Sequence, residues 1–517
     1  MPTDTEAIKV ILVEIRDQLQ AQDAEALKRS VKKLSESSTP TDVMNLLAPF
    51  LFRGGQSTSS NPGDFRFSND DALSILGCLV SANGALYLKP ASKAVRDEAV
   101  CLGNSDQPMT LSPSLLDVMV SQLSGSDIQV STNATEAIVA CCRKLGSAFG
   151  DPVLKAISVA WRAAWNAVST KRSEMSTICV RCASAIVDVV CLDDSMMKSA
   201  KSCGDINLLL TMLTDESDPL LEMSSLDLIE RLATTLPMHY ERAHWLFSND
   251  IVIPLLQMAG GMEGEGLPDP ILGGTALRVV AALCKQGHRD RSLFDSGGNQ
   301  LISGFHRALH NFNVSGEVDR MAIIDAISSF ASASPDALER VLSDPVTRNA
   351  WLSLSVAQPK LKSVVLFSVS MVLDPSDEVD SKGDFIPAPP PSNTVGLKLF
   401  ETWGQVNEDD PSSLALSLAK SPLPETRLGA YALLKAVAKL PTGCQVLLSS
   451  PGLYEFLVSR EVEKTKEGRE AKYAIVEVIA ESPAKGLLAD DIVAQIEKYV
   501  KEGPHYVKPM QWELATD

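Results

Sequence analysis

Ser421 to Val458, SPLPETRLGAYALLKAVAKLPTGCQVLLSSPGLYEFLV, reads as helix, turn, helix, turn, helix. Pro422 and Pro424 block a helix arriving from upstream. Glu425 then falls in the first turn of a new one, where a carboxylate suits the positive end of the helix dipole. Leu428, Tyr431, Ala432, Leu434, Ala436, Val437, Ala438 and Leu440 leave Arg427, Lys435 and Lys439 as the obvious polar positions, so most of this helix's circumference must be covered. One helix cannot cover itself. Pro441 and Gly443 end it, Gln445 to Leu448 makes a short helical turn, Pro451 and Gly452 break again, and Leu453, Phe456 and Leu457 open the next apolar stripe. A unit that buries so little alone has to stack on copies of itself.

Copies are present. ATEAIVACCRKLG starts at Ala134, CVRCASAIVDVV at Cys179, SSLDLIERLATTLP at Ser224, GTALRVVAALCKQG at Gly274, MAIIDAISSFASAS at Met321, and a divergent LKSVVLFSVSMVL at Leu361. Their starts are roughly 40 to 50 residues apart, the period of HEAT and armadillo repeats. Several share a tail of a short apolar helix, a polar turn and a new apolar stripe: HWLFSNDIVIPLLQM from His244, RSLFDSGGNQLISGF from Arg291 and CQVLLSSPGLYEFLV from Cys444. Aromatics are 5% of the 517 residues and small aliphatics abound, which suits closely packed helices, while alternating strand patterns are scarce. The expected fold is all-α, an armadillo/HEAT-like helical-repeat solenoid.

In chain order, residues 1–52 are expected to form an N-terminal helical cap, 53–373 the repeats, 374–393 a loop, 394–509 a C-terminal helical block and 510–517 a tail. Arg53 to Asp70 is a Gly, Ser and Asn-rich loop, and Gly260 to Pro270, GGMEGEGLPDP, is a second. Asp374 to Asn393 is acidic and then proline-rich, cannot be helical through Pro387 to Pro391, and is expected to be a mobile loop on a rigid array.

MPTDTEAIKVILVEIRDQLQ is expected to be an amphipathic helix rather than a secretory signal. The longest largely apolar run, Val364 to Leu373, falls short of the roughly 20 residues a membrane span needs. The expectation is a soluble protein of the cytoplasm or also the nucleus. The ten cysteines lie mostly inside apolar stripes, as small hydrophobes. Asn133 and Asn313 begin glycosylation-type triplets, which have no meaning without a secretory route.

Candidates for chemistry are weak. Cys179 and Cys182 form a CxxC inside a helical stripe with no second pair, which reads as structural burial. His306 and His310 have the i, i+4 spacing of a shared metal, but no Glu of an HExxH motif lies between them, and a solvated or interface face is the better reading. Gly260, Gly261, Gly264 and Gly266 lack the Lys-Ser/Thr of a phosphate loop. No enzyme, metal or cofactor is expected.

Charge says more. With 65 acidic against 47 basic residues the formal net charge is -18, which argues against nucleic acid or anionic membrane as main partner and for a basic partner or none. The last helix of an armadillo unit lines a groove, and its polar positions here include Glu136, Asp188, Asp227, Glu230 and Asp325 as an acidic stripe. Lys435 and Lys439, with Arg278, are basic exceptions on the same positions.

The C-terminal block carries a resemblance. LLSSPGLYEFLVSREVEKTKEGREAKYAIVEVIAESP, Leu447 to Pro483, and YVKEGPHYVKP, Tyr499 to Pro509, closely resemble the proteasome 26S non-ATPase regulatory subunit 5 family. The residues that carry it are Ser450, Pro451, Gly452, Glu455, Arg460, Val462, Glu463, Ala471, Lys472, Tyr473, Glu502, Gly503, Pro504, Tyr506, Val507, Lys508 and Pro509. Upstream, Trp403 and SLALSLAKSPLPE look similar; the chain before Leu399 is compatible through repeat pattern only. The resemblance implies a solenoid chaperone of proteasome regulatory-particle assembly. It would hold the C-terminal domain of a base AAA+ ATPase, regulatory subunit 7, with its early partners, as a monomer within a hetero-complex, and be absent from the finished particle. The alternative is a peptide-binding armadillo adaptor such as a nuclear import receptor, whose groove helices carry Trp with Asn four residues on. Trp245 with Asn249 and Trp403 with Asn407 have that spacing.

Overall fold

The computed structural model describes the chain except residues 1–4, 54–66, 106–108, 110–112, 126, 168–171, 216–217, 263–266, 290–297, 316–319, 355–358, 376–377, 380–384, 387–390, 483–484, 486–488 and 507–517. The described residues form an all-α array of helical repeats, with one exception of two short strands. It divides into two compact units, Met1–Leu232 with His239–Arg242, and Ala233–Met238 with Ala243–Asp517.

In the first unit the long helices form a ladder. Asn69–Gly103 packs on Ile128–Leu145, which packs on Arg172–Val190. The first of these is two helices meeting at Asn83, whose φ of −156° and ψ of 69° leave the helical region. Ile128–Leu145 shows why such a rung forms. Asp127 caps its start by accepting from the Gln129 and Val130 backbone N–H groups, and Gly146, at φ 64°, ends it. Between them Val130, Ala134, Ala137, Ile138, Ala140, Cys141 and Cys142 are buried. Those positions cover several faces because the helix has neighbours on several sides, Pro113–Leu123 and Ser147–Ala167 besides the two rungs.

The second unit continues the same principle. Gly273–Arg289 packs on Arg320–Ala331, then follow Pro359–Leu373, Pro424–Lys439 and Lys466–Glu481, each rung against the next. Every repeat core read from the sequence between Ala134 and Lys439 lies on a helix. Pro424–Lys439 buries Ala430, Tyr431, Leu433, Leu434, Ala436, Val437 and Ala438, the coverage its composition demands. Shorter helices fill the turns, and Ser334, Asp344 and Asp410 each cap one that begins with proline.

Long polar side chains join the end of one helix to another a repeat away. Arg307 Nη1 donates to the Gly261 carbonyl at 2.7 Å and Asn311 Nδ2 to the Gly260 carbonyl at 2.6 Å. Arg181 reaches the Gly125 carbonyl and Lys144 that of Ser105 in the same way. Carbonyls at helix ends lack an intrahelical partner, so each bond removes an orphan acceptor and fixes the stagger of two repeats together.

The 374–393 segment holds the exception to helix. Glu378–Val379 and Phe385–Ile386 pair antiparallel, Glu378 opposite Ile386 and Val379 opposite Phe385. Most of its remaining residues, and 54–66 of the first expected loop, lie outside the described residues. So do most of the 510–517 tail's neighbours and the tail itself.

Rung spacing depends on small residues at crossings. A Cβ on Gly429 would lie 3.0 Å from Leu366 Cβ and 3.4 Å from the Ser363 carbonyl oxygen. Gly429→Val is therefore expected to push Pro424–Lys439 off Pro359–Leu373 and cost about 1–3 kcal/mol, read as a lowered urea midpoint. An unchanged midpoint would show that this crossing is not tight.

Candidate partner-binding surface

The rungs carry all of the polar positions expected to meet a partner, divided between the units. Glu136, Asp188, Asp227 and Glu230 belong to the first unit, and Asp325, Lys435 and Lys439 to the second. Their surroundings differ. Glu136 is exposed but lies 3.5 Å from Arg96 Nε, and Arg96 Nη1 also donates to Asn133 Oδ1 at 3.2 Å. Asp188 is half-buried with Arg231 Nη2 at 3.4 Å, and Arg231 donates also to the Ser184 hydroxyl and carbonyl. Burial raises the Asp188 carboxyl, against the pull of Arg231. Lys439 Nζ is 2.6 Å from Asp374 Oδ2. Each of these pairs ties one rung to the next, so Glu136, Asp188 and Lys439 serve the array's own register. Glu230 and Lys435 are half-buried. Asp227 and Asp325 are exposed and, among the described residues, have no ion-pair partner.

Sequence reading had the acids but not their partners. The signal was there: 96 with 136, 188 with 231 and 374 with 439 are separated by roughly one or one and a half repeats, and a basic side chain one period from an acidic one on the same helix face is a rung-to-rung pair.

The Trp403 and Asn407 pair is used inside the protein. Trp403 is fully buried. Asn407 donates to the Leu352 and Trp403 carbonyls at 3.0 and 2.7 Å and accepts from the Leu354 backbone N–H at 2.8 Å, so no amide remains for an extended peptide. Trp245 is buried on Tyr240–Leu246, whereas Asn249 begins the following helix, Asn249–Met258. Asn133 is also internal, donating to the Ser92 hydroxyl at 3.0 Å; Asn313's side chain lies outside the described residues.

His306 and His310 do share one cleft, of about 740 Å³, lined also by Asp336, Glu339, Arg340, Ser343 and Asp344. His306 leans on the Phe305 and Phe330 rings, with centroids 5.9 and 6.0 Å away, and burial lowers its pKa. His310 Nε2 is 3.9 Å from Asp344 Oδ2. Among the described residues no group of three His, Cys, Asp or Glu is placed to hold a metal ion. Cys179 and Cys182 are buried free thiols, both pushed up to about 12 by burial, which removes the thiolate a metal or redox site needs. No described helix is long and apolar enough to cross a membrane.

Three of the C-terminal signature residues, Arg460, Glu463 and Lys472, are held by contacts within the fold. Glu463, 3% exposed, accepts from Arg427 Nε at 3.0 Å, Tyr431 Oη at 3.1 Å and the Thr465 backbone N–H and hydroxyl at 3.0 and 2.9 Å. Burial raises the Glu463 carboxyl, yet the Thr465 and Arg427 hydrogen bonds outweigh it and hold it at about 2. Lys472 is buried over the Phe456 ring at 4.9 Å and donates to the Ser459 carbonyl; burial lowers it to about 8, with Glu463 opposing. Arg460 donates to the Gly503 and Tyr499 carbonyls at 2.7 and 3.0 Å and stacks over Tyr499 at 4.1 Å. Arg460, Glu463 and Lys472 thus lock Pro424–Lys439, Lys466–Glu481 and Asp490–Glu502 together.

Over that same stretch, residues 385–516 match the family model described as "Proteasome non-ATPase 26S subunit". This segment carries the signature of that family. The human 26S proteasome non-ATPase regulatory subunit 5 is 30% identical over 134 residues, 26% of this chain and 27% of the human one. The bovine protein of that name is 29% identical over 133 residues, and the Drosophila melanogaster one 26% over 106. The aligned part spans about a quarter of the length of these relatives, and their names are those of regulatory subunits. Among solved structures, the karyopherin Kap121p bound to the extreme C-terminus of the phosphatase Cdc14p aligns at TM-score 0.42 and 12% identity, over 96% of this chain and 53% of that one. An engineered protein aligns at TM-score 0.37 and 13% identity, over 89% and 98%.

Removing one partner of the buried Arg427–Glu463 pair should cost about 3–5 kcal/mol, so Glu463→Ala is expected to lower the urea midpoint clearly at pH 7. Because the folded carboxyl titrates at about 2 against an ordinary 4.5, its contribution is whole above pH 4.5 and disappears as pH falls toward 2. The gap between wild type and variant should therefore narrow on acidification. A gap of constant size would assign the loss to packing instead of charge. Asn407→Ala, which orphans the Leu354 N–H, is expected to cost about 1–3 kcal/mol by the same assay.

Proposed function

We propose that this protein is an assembly chaperone of the proteasome regulatory-particle base. It holds the C-terminal domain of the AAA+ ATPase regulatory subunit 7 with its early partners, and leaves before the particle is complete. The observation that carries this reading is the match of residues 385–516 to the proteasome non-ATPase family. A repeat array suits the task physically. Its rungs offer a large preformed surface for a folded domain, so little ordering is lost on binding, and a bulky array obstructs premature contacts of what it holds. The role is one of binding, without catalysis, and its place is the cytoplasm, with the nucleus also open to it.

Of the acids expected to form a stripe, Asp227 and Asp325 are exposed with no ion-pair partner among the described residues, and they are offered to a basic partner, in a chain of net charge -18. Charges at the rim of an interface act mostly on the rate of association and its salt dependence.

The reading is tested with the full chain as bait in a cell extract, partners being identified by mass spectrometry. Base ATPases without core-particle subunits are the expected result; import cargo or unrelated proteins without any proteasome ATPase would overturn it. Charge reversal by Asp227→Lys and by Asp325→Lys, made separately because they lie in different units, is expected to weaken ATPase capture several-fold and to flatten its salt dependence. Capture unchanged by both would leave the chaperone reading standing and remove the acidic surface from it.

A further inference from the structure

Three successive rungs of the second unit present large apolar side chains to solvent. Ile271, just before Gly273–Arg289, is 62% exposed, and Met321, in the first turn of Arg320–Ala331, is 60% exposed. Between them runs a groove of about 320 Å³, lined by Ile271, Thr275, Arg278, Met321, Ala322, Asp325 and Val364. On Pro359–Leu373, Phe367 and Met371 stand at i+3 and i+7 from Val364, so they continue the groove's face, and both are exposed. Elsewhere these rungs bury nearly every apolar residue. A contiguous apolar face left open on an otherwise well-buried array marks an interaction surface.

Charge limits what fits. Arg278 already has an interaction within the protein, whereas Asp325, exposed on the groove, has no ion-pair partner among the described residues. An exposed carboxylate therefore stands beside apolar walls and flexible Met321 and Met371, a composition that accepts an inserted apolar side chain with a basic neighbour.

We propose that this groove docks an amphipathic helical segment of a partner protein, whose Leu, Met or Phe anchor enters between Ile271 and Met321 and whose neighbouring Lys or Arg meets Asp325. The inference rests on the reading that the rungs of the second unit face a partner, and adds that the anchor is apolar, with charge in a secondary place.

The probe is a fluorescein-labelled amphipathic helical peptide built of Leu and Lys, with its Leu and Glu counterpart as control, titrated against the full chain by anisotropy. Met321→Glu places a carboxylate in a first helical turn, where it suits the dipole, so the fold is expected to persist, as circular dichroism and the melting temperature will report. Val159→Glu, at an exposed apolar residue of the first unit, controls for nonspecific adhesion. The Leu/Lys peptide is expected to bind, the Leu/Glu peptide to bind much more weakly, and Met321→Glu to weaken binding at least about tenfold while Val159→Glu leaves it unchanged. Most of the affinity should survive about 0.5 M salt, where exposed charges are screened. Equal loss in both variants, collapse of binding in salt, or no binding at all would overturn the groove. Capture of base ATPases by Met321→Glu as fully as by wild type would also overturn it, without touching the chaperone reading; failure of wild type itself to capture them is the separate failure of that reading.

Discussion

Each rung helix is apolar around most of its circumference, and the rest of the structure follows from having to cover it. Pro424–Lys439 is the plainest case: Pro359–Leu373 lies on one side, Lys466–Glu481 on another, and the short Pro411–Ala419 and Gly443–Leu448 close the remainder. A fully buried Leu or Val contributes about 1.5–3 kcal/mol, while an exposed ion pair contributes about 0–1. Apolar burial therefore supplies the cohesion between rungs, and pairs such as Arg96–Glu136 and Asp188–Arg231 supply direction, since apolar contact alone tolerates sliding along a helix.

That division explains what was legible in the sequence. The rungs were, because a helix covered on all sides writes itself as an unbroken small-and-aliphatic run between proline or glycine breaks, as in GTALRVVAALCKQG. Stagger was not. It depends on where the Arg307 and Asn311 side chains reach the Gly261 and Gly260 carbonyls, and a surface Arg looks the same in sequence whether it meets water or a helix end. The paired strands Glu378–Val379 and Phe385–Ile386 escaped for a related reason: two residues are too few to show alternation.

The candidate surface was half legible. Helical periodicity placed Glu136, Asp188, Asp227 and Asp325 on rung faces, but periodicity does not say which acids already have a partner. Arg96 and Arg231 pair with the first two and Glu230 is half-buried, while Asp227 in one unit and Asp325 in the other are exposed with no ion-pair partner among the described residues. The Trp403 and Asn407 spacing, which fits the alternative of a peptide-binding adaptor, has an internal use: a buried Trp followed by a backbone-holding Asn is a way of fixing one repeat on another. The same four-residue spacing serves both ends, since it only requires two side chains on one face of a helix.

The C-terminal signature follows the same logic. Arg460, Glu463 and Lys472 are among the residues by which the segment resembles its family, and all three are engaged within the fold: Arg460 with helix-end carbonyls, Glu463 with donors of Arg427, Tyr431, Lys464 and Thr465, Lys472 with a carbonyl and a ring. Buried charge is costly unless every partner is present, so such a set changes together or not at all, whereas exposed contact residues change one at a time with the partner. A resemblance confined to residues 385–516 is therefore what a shared terminal framework would leave behind. A surface that chooses a partner is to be sought where the framework leaves apolar side chains uncovered, and the proposed face from Ile271 through Met321 to Met371 is one such place in the second unit.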